Sequence, residues 1–442
     1  MNVPPPPRRR RALRGRIVHF VDDPATAGAS AVRDHKDGLL LVEDGRIVAV
    51  GDARDMVGKV RHGTLVDHFP DCLIMPGLID AHIHYPQSQV IASYGTRLLD
   101  WLNTYTFPAE QAFEDPEHCS RVAAHFCEVL LQHGTTTAAV YCTTHPASVE
   151  ALFAEAERRR LRMIAGKMLM DRGAPKRLLD TAARAYDESK ALIRDWHGRE
   201  RLLYAITPRF ALTSSEAQLE AAGLLAREHQ DAYVQTHLAE NPDEVAAVAK
   251  LFPKAANYTD VYDRFGLLGP RTLLGHCLHL DDDEVQRLHE RSSVAAFCPS
   301  SNLFIGSGLF DLARMRDARR PVRVALGTDV GGGTSYSMLQ TAADAYKALQ
   351  LRGQNLSAVE AFHLMTLGNA RALGLEDRIG SFAPGSEADV VVLDPRATPV
   401  MRHRMEAIDD GDLARTLFVL MILGDDRAVR ATYVLGEPAF VR

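Results

Sequence analysis

Eight short apolar runs alternate with longer segments of helical spacing, and this alternation constrains the fold more than any other feature of the chain. The runs are LIMPGLIDAHIH (73–84), TTAAVYCT (136–143), RMIAGKMLM (162–170), LLYAITPRF (202–210), AYVQTHLAE (232–240), TLLGHCLHL (272–280), SVAAFCPSS (293–301) and RVALGTDV (323–330). Between them PEHCSRVAAHFCEVLLQHG, SSEAQLEAAGLLAREHQ and DDDEVQRLHERS carry apolar residues at three- and four-residue steps, the period of an amphipathic helix. Repeated βα units give a parallel sheet, so the class is α/β, and eight units predict a (β/α)8 barrel.

Such barrels place their chemistry at the C-terminal ends of the strands. Polar residues do collect where the runs stop: His82 and His84, Lys167, Arg209, His237 and Glu240, His276, and Asp329.

Both ends of the chain read differently. GLLLVEDGRIVAVGD (38–52) is two apolar strands joined at Asp44-Gly45, a two-residue hairpin signal. GSEADVVVLDP (385–395) and VRATYVLGEPAFVR (429–442) are again strand-like runs broken by turn residues.

Composition narrows the partners. With 46% hydrophobic and 24% charged residues the chain is a folded protein rather than a disordered or fibrous one. Its net charge is −6 and its basic residues are dispersed apart from one N-terminal cluster, so no nucleic-acid footprint appears and a small-molecule partner is expected. Cys72, Cys119, Cys127, Cys142, Cys277 and Cys298 form no CxxC pair, which suits reduced thiols in a cytoplasmic protein. The start, MNVPPPPRRRRALRG, has no apolar segment behind its charge, and no run approaches the ~20 residues of a membrane span. No membrane association is expected, and residues 1–13 are read as a flexible Pro/Arg-rich tail.

His82 and His84 stand at i and i+2, so on a strand they share a face about 7 Å apart and can converge on one ion. Alone, the pair fits two polar residues closing a strand equally well. His237 and Asp329, ending the fifth and eighth runs, complete a set of three imidazoles and a carboxylate that suits Zn²⁺, with iron or manganese as alternatives and one position left for water. Glu240, three residues past His237 and ahead of a helix start at Pro242, is a candidate proton shuttle. His276 is placed to orient water or stabilise developing charge, whereas His279 and Cys277 are read as structural. Lys167 is assigned to a polar network, because the fourth run has no lysine and a one-metal site is favoured. Gly331 to Gly333 lack any phosphate-loop pattern and are read as permissive backbone beside a ligand.

PGLIDAHIH, the TH and GH strand ends and GTD with its Gly/Ser-rich sequel resemble the amidohydrolase superfamily. Longer strings resemble its guanine-deaminating branch: HIHYPQ (82–87), LLDWLNTYTFPAE (98–110), TPRFALTSS (207–215), THLAENPDEV (236–245), CPSSNLFIGSG (298–308), GTDVGGGTSYSML (327–339) and LGDDRAV (423–429). The resemblance implies a distorted barrel over 73–379 and a small β-sandwich built from 14–72 and 380–442. It implies one zinc per subunit, held by His82, His84, His237 and Asp329, and a homodimer. It further implies hydrolytic deamination of guanine, with the purine meeting His84, Gln87, Arg209, Phe210, His237, Glu240 and Asp329, and with Glu240, Asp329 and His276 as the catalytic residues. Ala239 replaces the small polar residue usual before EN and is expected to face away from the metal. The resemblance is poor in the tail and over 401–412. An adenosine-like deaminase, a triazine hydrolase and, more remotely, a non-catalytic barrel binding protein are the competing readings.

Overall fold

The computed structural model describes residues 10–95 and 97–442. Residues 1–9, most of the expected tail, lie outside the described residues, and Arg10 already belongs to the first strand.

Four strands open the chain: β1 (Arg10–Phe20), β2 (Val32–Glu43), β3 (Arg46–Asp52) and β4 (Leu65–Pro76). Asp44 and Gly45 join β2 to β3 with φ of 52° and 79°, the pair of positive values that a type I′ hairpin turn requires.

The barrel strands follow: β5 (Leu78–His84), β6 (Thr135–Tyr141), β7 (Arg162–Gly166), the two-residue β8 (Met168–Leu169), β9 (Leu202–Pro208), β10 (Tyr233–Leu238), β11 (Thr272–His276), β12 (Val294–Phe297) and β13 (Arg323–Leu326). They pair in the order β5-β6-β7-β9-β10-β11-β12-β13, every pairing parallel, with β8 added beside β9. The barrel closes just beyond the paired strands, where Asp329 N donates to His82 O at 2.8 Å and His84 N donates to Val330 O at 2.8 Å.

The helices start where their caps dictate. Asp115 caps helix Pro116–Gln132 with proline in the first turn, Ser215 caps Glu216–Glu228, and capping boxes at Asn241 and Asp281 open Pro242–Leu251 and Asp282–Glu290. Among the described residues no helix is long and apolar enough to cross a membrane.

The chain ends with β14 (Val390–Leu393), β15 (Val429–Val434) and β16 (Glu437–Val441), which join the opening strands in one sheet of order β16-β15-β14-β4-β1-β2-β3. This sheet curls until the β3 hairpin meets the approach to β14, with Ile47 N donating to Ser386 O at 2.9 Å and Gly385 N to Ile47 O at 2.8 Å. Leu13, Ile17, Leu40, Val42, Ile47, Ile74, Val390 and Val392 pack in the fold of the curl, giving the small β unit drawn from both chain ends.

Two expectations need adjustment. The run over 73–84 is two strands: β4 pairs with β1 and β14 as far as Pro76, and β5 enters the barrel after Gly77, whose N–H donates to Asp389 O at 2.9 Å. Both halves are buried, so hydropathy carries no mark of the break. The C-terminal segment is also not all β, because helices Pro399–Met405 and Leu413–Leu423 interrupt it and the second packs on the barrel helix Met338–Gln350.

Charge pairs fasten the curled sheet to the N-terminal ends of the barrel strands. Arg162, at the start of β7, is 2% exposed and binds Glu387 through Nη2 at 2.5 Å and Nε at 3.1 Å. Arg201, just before β9, reaches Glu387 at 2.7 Å and also bonds Asp389. Buried charges persist only when paired in this way.

Candidate active site

At the opposite end of the barrel the strand termini bring four side chains to one point. His84 Nε2 lies 3.3 Å from His82 Nε2 and 3.2 Å from His237 Nε2. Asp329 Oδ1 lies 3.2 Å from His82 Nε2 and 3.3 Å from His84 Nε2. All four residues are buried, and their ligand atoms fall within 4.8 Å of one another.

The protonation states explain what such a cluster can hold. Burial drives His84 down to about 3 and His237 well below its ordinary value, so both imidazoles are neutral. His237 Nδ1 faces Arg209 O at 2.7 Å, so it donates there and leaves a lone pair on Nε2. Burial would raise Asp329, but His82 and the neighbouring imidazoles outweigh it and hold the carboxyl well below the usual range. The two neutral imidazoles can each present a nitrogen lone pair, and a cation placed between them and the Asp329 carboxylate would be held by all three. Atoms bound to one ion at ~2.0–2.2 Å lie about 3 Å apart, and the four separations given above are 3.2–3.3 Å. The residues fit a divalent metal.

Close packing sets this geometry. A Cβ on Gly275 would stand 2.6 Å from His82 Cε1, and one on Gly327 would stand 2.7 Å from His82 Cβ, so the GH and GTD glycines leave the room that His82 occupies. The β5–β6 register shifts between Asp80 and Ile83, an irregularity of the kind that re-aims side chains beside active sites. Asp80 then ties the two edges of the barrel together, accepting from His82 N at 3.1 Å, Thr328 N at 3.0 Å and Thr328 Oγ1 at 2.5 Å. Ala239, His276, Cys277 and Asp329 have φ between 51° and 75°, a left-handed conformation that is costly for non-glycine residues and clusters at functional sites.

Glu240 sits beside the cluster. Its Oε1 accepts from Ser307 Oγ at 2.9 Å and its Oε2 lies 3.4 Å from His276 Nε2. Burial, reinforced by the charge of Asp329, pushes it up to about 8. His276 is held by Asn302, with Nδ1 2.8 Å from Oδ1, and its Nε2 lies 3.7 Å from Asp329 Oδ2. It therefore spans the two carboxylates. Glu240 precedes the helix beginning at Pro242 and takes no part in its first turn, while Glu244 below accepts from Glu240 N at 2.9 Å.

A cavity opens over these groups. Gln87, Arg209, Phe210, Trp101 and Leu102 line it together with His84, His237, Glu240, His276 and Asp329. Arg209 and Gln87 both bond the buried Glu110, and Gly331 N donates to Gln87 Oε1 at 3.3 Å. Lys167 stands apart in a buried network with Asp180 and Glu188, and His279 bonds Ser307 O at 2.8 Å. Cys277 is buried, which raises its thiol. Sequence reasoning overlooked Asp80, Glu110, Asn302 and Ser307, although Asp80 is an acid inside an apolar strand and Glu110 ends one of the quoted strings.

Comparison with known proteins follows the same lines. A family model described as the amidohydrolase family matches residues 73–439. The guanine deaminase of Escherichia coli (strain K12) is 48% identical over 435 residues, 98% of each chain. The solved E. coli guanine deaminase superposes with a TM-score of 0.95 at 48% identity, covering 98% of this chain and 100% of that one. Guanine deaminase from Bradyrhizobium japonicum has a TM-score of 0.95 at 37% identity over 98% and 100% of the two chains. Guanine deaminase from C. acetobutylicum, solved with guanine bound in its active site, has a TM-score of 0.87 at 27% identity over the same shares.

Proposed function

The chain belongs to the amidohydrolase family, and from that premise we propose that it hydrolyses guanine to xanthine and ammonia at the His82–His84–His237–Asp329 centre. One observation carries the reading: the metal-ligand cluster and the Arg209–Gln87 wall face a single cavity. The likeness to guanine deaminases over nearly the full chain supports the choice of ring.

Zinc is the proposed ion, one per subunit, with iron as the alternative, because three imidazoles and a carboxylate converging on one point suit it, with a further position for water. Held there, it supplies Lewis acidity that brings the pKa of water toward neutrality. Asp329 accepts the proton of the attacking water and His276 steadies the incoming oxygen. Glu240, positioned by Ser307, protonates the ring nitrogen beside C2 and then assists transfer of a proton to the departing amine. Arg209 and Gln87 offer donors to the purine's oxygen and nitrogen edge while Phe210 packs on the ring, and a site built for those groups rejects rings lacking them. A homodimer in the cytoplasm completes the reading, supported by the family resemblance and by six buried, unpaired cysteines.

The test is ammonia release from guanine, adenine, cytosine and triazines by the purified metal-loaded protein. Guanine is expected to be the preferred substrate, and brisk turnover of another ring without guanine would overturn the choice of substrate.

A further inference from the structure

Gln87 and Arg209 reach the cavity from the ends of different barrel strands, yet one carboxylate behind them fixes both. Glu110, in helix Phe107–Gln111, is fully buried and is not among the residues lining the cavity. Its Oε1 accepts from Gln87 Nε2 at 3.1 Å and from Arg209 Nη1 at 2.8 Å, and its Oε2 accepts from Arg209 Nη1 at 2.9 Å. Met168 Sδ, 3.2 Å away, is the other partner of the same nitrogen. Among the described residues Nη1 is thus the only nitrogen of Arg209 with a protein acceptor, and Nε and Nη2 remain for a ligand.

We infer that Glu110 is a positioning residue that makes the cavity selective for an uncharged purine, an inference that rests on the guanine reading above. It acts in two ways. It locks the Gln87 amide and the Arg209 guanidinium into one donor array, so that neither must be ordered when substrate arrives. It also cancels the charge of Arg209 inside a desolvated site. A guanidinium lacking that partner would attract anions strongly at low dielectric, whereas the pair presents donors with no net charge. Guanine is neutral at neutral pH. Urate, a purine carrying a negative charge there and no amino group at C2, is the matching probe for the opposite preference.

The experiment uses the metal-loaded protein and measures kcat and KM for guanine together with inhibition by urate. Turnover by the unmodified protein tests the underlying reading, so its failure is distinct from a failure here. In Glu110→Gln, kcat/KM for guanine is expected to fall roughly 10- to 100-fold, chiefly through KM, the range for losing a hydrogen bond to a charged group. Metal content should be retained and urate inhibition should tighten by about 10-fold as the charge of Arg209 is released. Glu110→Asp should keep urate inhibition weak, since it keeps the charge. Unchanged guanine KM and unchanged urate inhibition in Glu110→Gln, or a loss of thermal stability with no change in urate inhibition, would overturn the inference. Should Glu110→Gln fail to fold, Arg209→Gln is compared with the Arg209→Gln/Glu110→Gln double variant. Urate should bind more weakly to the single variant, which leaves a lone carboxylate, and equal inhibition of the two would overturn the inference.

Discussion

The backbone N–H of Asp329 donates to the carbonyl of His82 at 2.8 Å, so one of the two bonds that close the barrel joins two of the four candidate metal ligands. The first and last barrel strands meet where the ion would sit. An ion held there would brace the closing seam of the barrel, so the metal-loaded protein should be the more stable form. With free metal at about 1,000 times its Kd, the gain is about 4 kcal/mol. Thermal unfolding before and after chelation checks this: a Tm several degrees lower after metal removal and restored by zinc is expected, and an unchanged Tm would contradict it.

His237 and Glu240 should separate binding from chemistry. His237→Ala removes a ligand and is expected to abolish stoichiometric zinc and activity together. Glu240→Gln keeps the four ligands and the Ser307 bond but not the transferable proton, so zinc stays while kcat falls at least about 100-fold. Elemental analysis alongside initial rates distinguishes the two, and equal zinc retention and activity in both variants would refute the assignment.

Gly275→Ala tests the packing beneath the ligands. The added methyl would meet His82 Cε1 at 2.6 Å, so the His82 ring or the strand carrying residue 275 must shift, which disturbs the contact of His82 with Asp329. Zinc affinity should fall about 10- to 100-fold, the usual cost of disturbing the surroundings of a ligand, with the ligand set itself intact. Competition against a chromophoric chelator measures it.

How far the site was legible follows from where each residue lies. His82 with His84, His237 and Asp329 end three apolar runs, and in a barrel strand ends converge, so three separate polar terminations imply one centre. Glu110 and Ser307 reach the site from helical and loop segments whose approach depends on tertiary packing, so no hydropathy period singles them out within the strings that contain them. The boundary at Pro76 was hidden for a different reason: β4 and β5 are both buried there, so burial changes partner without changing composition. The salt bridges of Arg162 and Arg201 with Glu387 and Asp389 span roughly half the chain, and charges that distant show no pairing in a linear reading.

His19 predicts an acid-sensitive fold. It is 4% exposed on β1, accepts from Phe382 N at 3.4 Å, and is driven down to about 4 by burial with a smaller push from His35. An unfolded histidine takes up its proton near 6.5, so between these values the unfolded state binds more protons and stability falls as pH drops. The loss is on the order of 3 kcal/mol, complete below about pH 4 and absent above about pH 7. Urea midpoints across this window should decline with acid, and His19→Gln should flatten the slope.

The most direct test of the account follows the oxygen. Purified zinc-loaded protein is incubated with guanine in ¹⁸O-water, and the purine product is analysed by mass spectrometry while ammonia is counted. The account predicts xanthine carrying one ¹⁸O at C2, with one ammonia released for each xanthine formed. Guanine recovered unchanged from zinc-loaded protein, or xanthine without the label, would contradict it.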